Sequence, residues 1–224
     1  MTPIINMVTG MNVTTPENAA DMIPDGATLM IGGFMSVGTP ELLMNALVQK
    51  DVRGLTIIVN DTGFPDVGVG KLIRAGLVKK IYASHVGTNA ETGEGVEKGD
   101  IDLTLVPQGT LIEKIRAGGA GLGGVLTPTG IGTIVAEGKT IITIDGREFI
   151  LELPMKADFA LIEARWGDTA GNLVFDGTTR NFSPLLATAA DVVIAQVDEF
   201  IEKEYIDPNH VHVPGIFIDY IVRR

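Results

Sequence analysis

The chain has 224 residues, 45% of them hydrophobic, which is enough to bury a sizeable core. A formal charge of −11 with 5% aromatic side chains excludes a general electrostatic hold on nucleic acid and a surface for stacking bases. Cysteine is absent, which removes disulfides, thiolate metal sites and a Cys nucleophile; with no apolar run near the roughly 18 residues of a membrane span and no leader-like start at Met1, a cytoplasmic protein is expected.

Residues 1 to 15 read as an irregular lead, after which "TTPENAADMI" predicts a short helix with Thr15 as N-cap and Pro16 at the first helical position. Asp25-Gly26 marks a turn, and "ATLMIG" reads as a strand buried on both faces. A loop with three glycines follows, and Thr39-Pro40 repeats the helix-start signal before an apolar stripe of Leu42, Leu43, Ala46 and Leu47. "LTIIVN" (55 to 60) and "VKKIYASH" (78 to 85) read as strands on either side of a short helix, "GVGKLIRAG", closed by Gly76. A polar segment, "TNAETGEGVEKGD", leads to the strand "IDLTLV" (101 to 106) and the helix "TLIEKIRAG", ended by Gly118.

Near residue 133 the pattern changes. Two β-rich runs around Asp145-Gly146 form the strongest hairpin signal in the chain and predict an antiparallel flap over about 133–153. "ADFALIEA" (157 to 164), "DVVIAQV" (191 to 197) and "GIFIDYIV" (215 to 222) return to buried-strand character, with a helix around "SPLLATAA". This alternation predicts an α/β fold: an open, mostly parallel sheet flanked by helices, with a small antiparallel flap, in a single domain over 1–224.

In such a sheet, ligands sit outside the carboxyl ends of the strands. The loop Gly32-Gly33-Phe34-Met35-Ser36-Val37-Gly38 occupies that place, where glycines let main-chain N–H groups face an oxygen and the following helix adds a partial positive end. Ser36 adds a hydroxyl. In "GGAGLGGVLTPTGIG" (118 to 132), Gly119, Gly121 and Gly124 match G-x-G-x-x-G in form but follow a helix, so a dinucleotide fingerprint is not read there. A P-loop is excluded because Leu72 follows Gly70-Lys71. His210 and His212, two apart, lack a nearby third ligand, so no metal site is expected and a surface or subunit-contact role is preferred. Ser84 and His85 are adjacent on a strand and point to opposite faces, which cannot make a Ser-His pair. Glu113, three residues before Arg116, reads as half of a helix-surface pair, and Glu152 and Glu163 as solvated or ion-paired carboxylates.

"DGATLMIGGFMSVGTP", "NDTGFPDVGVGKLI", "SHVGTNAETG", "LVPQGTLIEKIRAGGAGLGGVLTPTGIGT", "FILELPMKADFALI" and "DTAGNLVFDGTTRNFSPLLATAA" together closely resemble the alpha (A) subunits of family I coenzyme A transferases, in particular the bacterial acetate/acetoacetate and butyrate/acetoacetate enzymes. The resemblance runs from about residue 16 to 222 and implies the sugar isomerase/CoA-transferase fold. It also implies a ping-pong exchange of CoA between an acyl-CoA and a carboxylate through a glutamyl-CoA thioester. In two-subunit members the nucleophilic glutamate belongs to the beta chain, in a Ser-Glu-Asn-Gly context, and this sequence has no such tetrapeptide. No catalytic nucleophile is therefore expected here, and activity is expected only with a beta subunit, in a heterodimer, α₂β₂ or a higher assembly.

By the same resemblance Gly32, Gly33, Phe34, Met35, Ser36, Val37 and Gly38 are the CoA-contacting loop. Asn60 and Gln108 are candidates for orienting the acyl or carboxylate group, neutral amides favouring a developing oxyanion without trapping a full charge. Gly118, Gly119, Ala120 and Gly121 are expected to line the cleft toward the partner. Coenzyme A enters as substrate, with no permanently bound cofactor expected. The Phe34-Met35 wall, free of cationic neighbours, fits a short apolar acyl chain better than a dicarboxylate. The competing reading is a sugar-phosphate sensor or isomerase-like domain of the same fold family.

Overall fold

The computed structural model describes residues 11–202 and 205–224. Eight strands form one parallel sheet: β1 (Asn12–Thr14), β2 (Thr28–Ile31), β3 (Leu55–Ile58), β4 (Val78–Ala83), β5 (Asp102–Leu105), β9 (Ala157–Asp168), β11 (Ala190–Ile201) and β12 (Tyr220–Arg223). Their order is β1-β12-β11-β9-β2-β3-β4-β5, and the short β10 (Leu173–Val174) adds to β9 antiparallel. A separate antiparallel sheet is built from β6 (Val125–Thr127), β7 (Ile141–Ile144) and β8 (Arg147–Glu152) in the order β6-β8-β7. The helices are α1 (Pro16–Asp21), α2 (Glu41–Lys50), α3 (Val69–Arg74), α4 (Ala90–Lys98), α5 (Gln108–Gly119) and α6 (Ser183–Leu186).

The strands bury both faces. Leu29, Ile31, Ile57, Ile81 and Leu161 pack with Leu43, Leu47 and Leu72 of α2 and α3. Met30, Ile58, Ala160, Ile162 and Ala195 pack on the other face with Leu111, Ile115 and Leu186 of α5 and α6. Alternate residues of one strand thus feed two cores, which is why these strands read as unbroken apolar runs. Succession runs outward from β2 through β3 and β4 to β5, then returns to β9 on the other side of β2. The direction of winding therefore reverses between β2 and β9, and the loop leaving β2 stands at that reversal.

Local signals account for most boundaries. Thr15 Oγ1 accepts from the Asn18 amide at 3.2 Å and opens α1. Asp145 and Gly146 both take positive φ, 50° and 74°, as a two-residue hairpin turn with the right twist requires. Thr39 does not cap α2: its hydroxyl donates to the Gly32 carbonyl at 3.1 Å, and Pro40 holds the cap position. The polar stretch after residue 87 is helical as α4, begun by Asn89 accepting from the Glu91 amide and ended by Gly99 at φ 78°. Its only buried residue is Thr92, so no apolar stripe announced it. Residues 12–14, read as irregular, form the edge strand β1 against Tyr220–Val222, and the 215–222 run begins with a tight turn at Gly215–Phe217 before β12.

Candidate active site

Gly32 is held at the winding reversal by its amide, which donates to the Leu161 carbonyl of β9 at 2.9 Å. The chain then turns back on itself. Phe34 and Val37 exchange amide-to-carbonyl hydrogen bonds of 3.0 and 2.9 Å, so Met35-Ser36 is the tip of a two-residue hairpin, with φ of 50° and 68°. Two non-glycine residues in the left-handed region carry strain of order 1 kcal/mol each, which the surroundings must offset. Gly33 is required at φ 115°, where a Cβ would fall 2.2 Å from Thr39 Oγ1. The hairpin projects Phe34 and Val37, 46% and 50% exposed, and the next loop adds exposed Phe64 and Val67.

The offset comes from Asp61, just past the end of β3 and buried. One carboxylate oxygen accepts from the Met35 amide at 2.9 Å and from Asn60 Nδ2 at 2.8 Å, and the other accepts from the Gly63 amide at 2.8 Å. Asn60 Oδ1 in turn accepts from Gln108 Nε2 at 2.7 Å. Gln108, Asn60, Asp61 and Met35 thus form one chain of hydrogen bonds joining the loops after β5, β3 and β2. Ser84, after β4, completes the row by donating from its amide and its hydroxyl to the Asn60 carbonyl. The two amides singled out from sequence are therefore brought together, and directly bonded to each other.

Four of the loop's seven amides are already engaged within the protein. The amides of Gly32, Phe34, Met35 and Val37 are spent on Leu161, Val37, Asp61 and Phe34. The Leu42 amide in the first turn of α2 donates to Gln196 Oε1 at 2.8 Å. A water-sized cavity of about 10 Å³, lined by Gly33, Ser36, Thr39, Asp61 and Gly63 among others, contains no cation. Its one charge is the Asp61 carboxylate, which repels a free phosphate or carboxylate. Ser36 Oγ is buried there without a partner among the described residues, and a single water satisfies such a hydroxyl. The outer wall of exposed Phe34, Val37, Phe64 and Val67 is apolar and carries no cation, and Asn60 and Gln108 add neutral amides beside Asp61.

A family model described as Coenzyme A transferase matches residues 13–224. The chain belongs to the coenzyme A transferase family. The acetate CoA-transferase subunit alpha of Escherichia coli K12 is 52% identical over 208 residues, 93% of this chain and 94% of that protein. The acetoacetyl-CoA:acetate/butyrate CoA transferase alpha subunit of Clostridium acetobutylicum is 47% identical over 208 residues, with 93% and 95% covered. Among solved structures, an acyl-CoA transferase from Escherichia coli O157:H7, in a thioester complex with CoA, superposes with a TM-score of 0.88 at 26% identity. That likeness takes in 96% of this chain but 47% of the other, so this transferase chain spans about half the length of its structural relative.

Other residues singled out in the sequence lie apart from the hairpin. Gly118, Gly119, Ala120 and Gly121 do not join it: α5 starts at Gln108 beside Asn60 and runs back along the sheet, so its last turn lies at the opposite end of the strands. There Gly118 abuts the Met155 carbonyl and Gly119 abuts Thr188, just ahead of β9 and β11. A glycine cluster at a helix end served close packing, and sequence gives no sign of which sheet end it faces. His212 Nδ1 accepts from the Phe175 amide at 3.0 Å while His210 is exposed beside Asp207, so the two histidines serve different partners. Burial, with Arg180 and His210 nearby, holds His212 below the ordinary histidine range. Glu113 pairs with Arg116 as the spacing predicts.

Sequence reading did not single out Asp61, whose position after Asn60 at a strand end was the available signal, and read Glu163 as solvated or ion-paired. Glu163 lies two residues past Leu161 on β9, where Gln196 Nε2 reaches it at 3.5 Å. Burial, then the neighbouring Asp198 and Glu41, push its carboxyl up to about 7 against the pull of Arg224.

Proposed function

We propose that this chain is the alpha subunit of a short-chain acyl-CoA:carboxylate CoA-transferase of the acetate, butyrate and acetoacetate type, acting in the cytoplasm with a beta subunit that supplies the nucleophile. Residues 1–224 then form one subunit domain with its antiparallel flap. The observation that carries this reading is the state of the carboxylates at the strand ends. Asp61 has both oxygens committed to N–H donors, and Glu163 is packed beside Gln196, so among the described residues neither is placed to attack a thioester. Asn60, Gln108 and Asp61 are read as positioning groups, with the nucleophile assigned to the partner.

In the complete enzyme, a glutamate of the partner attacks the acyl-CoA carbonyl, the C–S bond breaks, and a mixed anhydride and CoA thiolate result. The thiolate attacks the glutamyl carbonyl, releasing the first carboxylate and leaving a glutamyl-CoA thioester. The acceptor carboxylate then reverses the sequence. This chain's contribution is to hold the thioester: Gly32 to Gly38 as the CoA-contacting hairpin, Phe34 and Val37 against the acyl group or pantetheine arm, and Gln108 with Asn60 as amides near the reacting carbonyl. A sugar phosphate is disfavoured because the relatives at 52% and 47% identity are named as CoA-transferase alpha subunits.

Co-expression tests the proposal. Transferase activity measured with acetyl-CoA and acetoacetate is expected from this chain plus a beta chain carrying Ser-Glu-Asn-Gly, and from neither alone. Activity in this chain by itself rejects the divided site.

A further inference from the structure

Near the N-terminal ends of four neighbouring parallel strands, one register row on a single face is polar. Thr28 of β2 pairs with Thr56 of β3, Thr56 with Lys80 of β4, and Lys80 with Asp102 of β5, all on the face toward α5. One step along the same face the row becomes Met30, Ile58 and Tyr82, which pack in the core beneath α5. The polar row is left uncovered because α5 ends near β9, and the segment leading into β9 passes over it.

The result is a cavity of about 490 Å³, within the range of small-molecule sites. Its floor is Thr28, Thr56, Ile58, Lys80 and Tyr82, and its walls are Lys114 of α5 and the segment Leu153–Lys156. Gly118 builds that wall: a Cβ there would stand 2.0 Å from the Met155 carbonyl and 3.3 Å from Lys156 Cγ, so glycine lets the segment lie against the helix. Three lysines line this pocket of a chain that carries a charge of −11. Lys80 lies 3.0 Å from Asp102, Lys114 shares the buried Glu152 with Lys139, and Asp158 is tied to the Thr28 amide at 2.7 Å. Lys156 has no carboxylate partner among the described residues. With Lys139 counted beside the three lining lysines, four ammonium groups stand against Asp102, Glu152 and Asp158, which leaves one positive charge, on the exposed Lys156, beside a floor that mixes threonine hydroxyls with Ile58 and Tyr82.

We infer that this cavity is a second binding site, separate from the hairpin site, for a small organic monoanion whose carboxylate meets Lys156 and the Thr28 and Thr56 hydroxyls while its apolar body lies on Ile58 and Tyr82. Thr28 begins the strand whose far end leads into Gly32, so the two sites stand at opposite ends of β2, on the order of 13 Å apart along the strand.

The test uses the full chain and benzoate as probe, followed by amide chemical shifts. Benzoate is expected to shift Thr28, Thr56, Tyr82 and Lys156 saturably, and benzyl alcohol, its uncharged counterpart, to bind at least fivefold more weakly. Lys156→Gln combined with Lys80→Gln is expected to weaken benzoate at least fivefold without altering the remaining spectrum. Shifts confined to Phe34–Val37 and Gln108, equal binding of benzyl alcohol, or undiminished binding by the double variant would each overturn the inference.

Discussion

Replacing Asp61 by Asn changes no volume and removes one acceptor. The carboxylate receives three N–H groups, from Met35 and Asn60 on one oxygen and Gly63 on the other. An amide cannot serve both sides: turned to keep Met35 and Asn60, it points its NH₂ at the Gly63 amide, and turned to keep Gly63 it loses two donors. Each hydrogen bond to a charged group contributes about 1.5–3 kcal/mol, and an opposed donor pair adds a cost. Part of the loss is recovered by relaxation at the exposed hairpin, so a net penalty of about 2–3 kcal/mol on the ordered loop is reasonable. Because Met35 and Ser36 already sit at positive φ, that penalty falls on the population of the productive hairpin. With the partner chain present, kcat/KM is expected to drop about 30- to 160-fold for Asp61→Asn. Amide exchange at Met35 and Gly63 should accelerate by a similar factor, with circular dichroism unchanged. Parental kcat/KM together with parental exchange at those two amides would refute the pinning role.

Gly38→Ala places a Cβ at φ 81°, 2.6 Å from the Thr179 carbonyl. A cost of about 2–4 kcal/mol is expected, read in calorimetry as a lowering of Tm by roughly 5–15 °C for a chain of this size; a change within the scatter of replicate scans contradicts it. Glu163 gives a pH signature: its folded carboxyl is raised from 4.5 to about 7, so its neutral form is favoured in the native state. The native state then binds the extra proton between those values, and stability is lost as pH rises through that window. Glu163→Gln should match the parent near pH 4.5 and exceed it by on the order of 2 kcal/mol at pH 8 in urea titrations. A pH-independent difference between the two proteins rules out that account.

The parallel sheet was legible because apolar runs ended in glycine or turn signals and alternated with helix starts, as "ATLMIG" followed by Thr39-Pro40 illustrates. The β7–β8 hairpin of the flap was legible from Asp145-Gly146, but its third strand, Val125–Thr127, lies in the stretch read as a glycine loop, and Ile134–Ala136 is a single tight turn. The amphipathic stripe that reveals a helix was missing from α4, whose existence rests on Asn89 and Gly99 at its ends. At the site, Asn60 and Gln108 were found because amides at strand ends stand out, but their mutual bond spans 48 residues and is set by strand order. Asp61 escaped because a lone acid beside an amide reads as a solvated loop residue until its burial is seen. Four of the hairpin's seven amides are spent on Leu161, on the hairpin itself and on Asp61, an arrangement its glycines did not announce. The same glycine logic misplaced Gly118 to Gly121, since close packing and ligand approach make the same demand on a backbone.

In the proposed division of catalysis, this chain holds the thioester and another chain attacks it. Incubating the reconstituted complex with acetyl-CoA, trapping with borohydride and weighing each separated chain by mass spectrometry tests it directly. The account predicts that the trapped glutamyl adduct, seen as reduction of one Glu to its alcohol, lies wholly on the partner chain, with this chain at its unmodified mass. A reduced glutamate on this chain would contradict it.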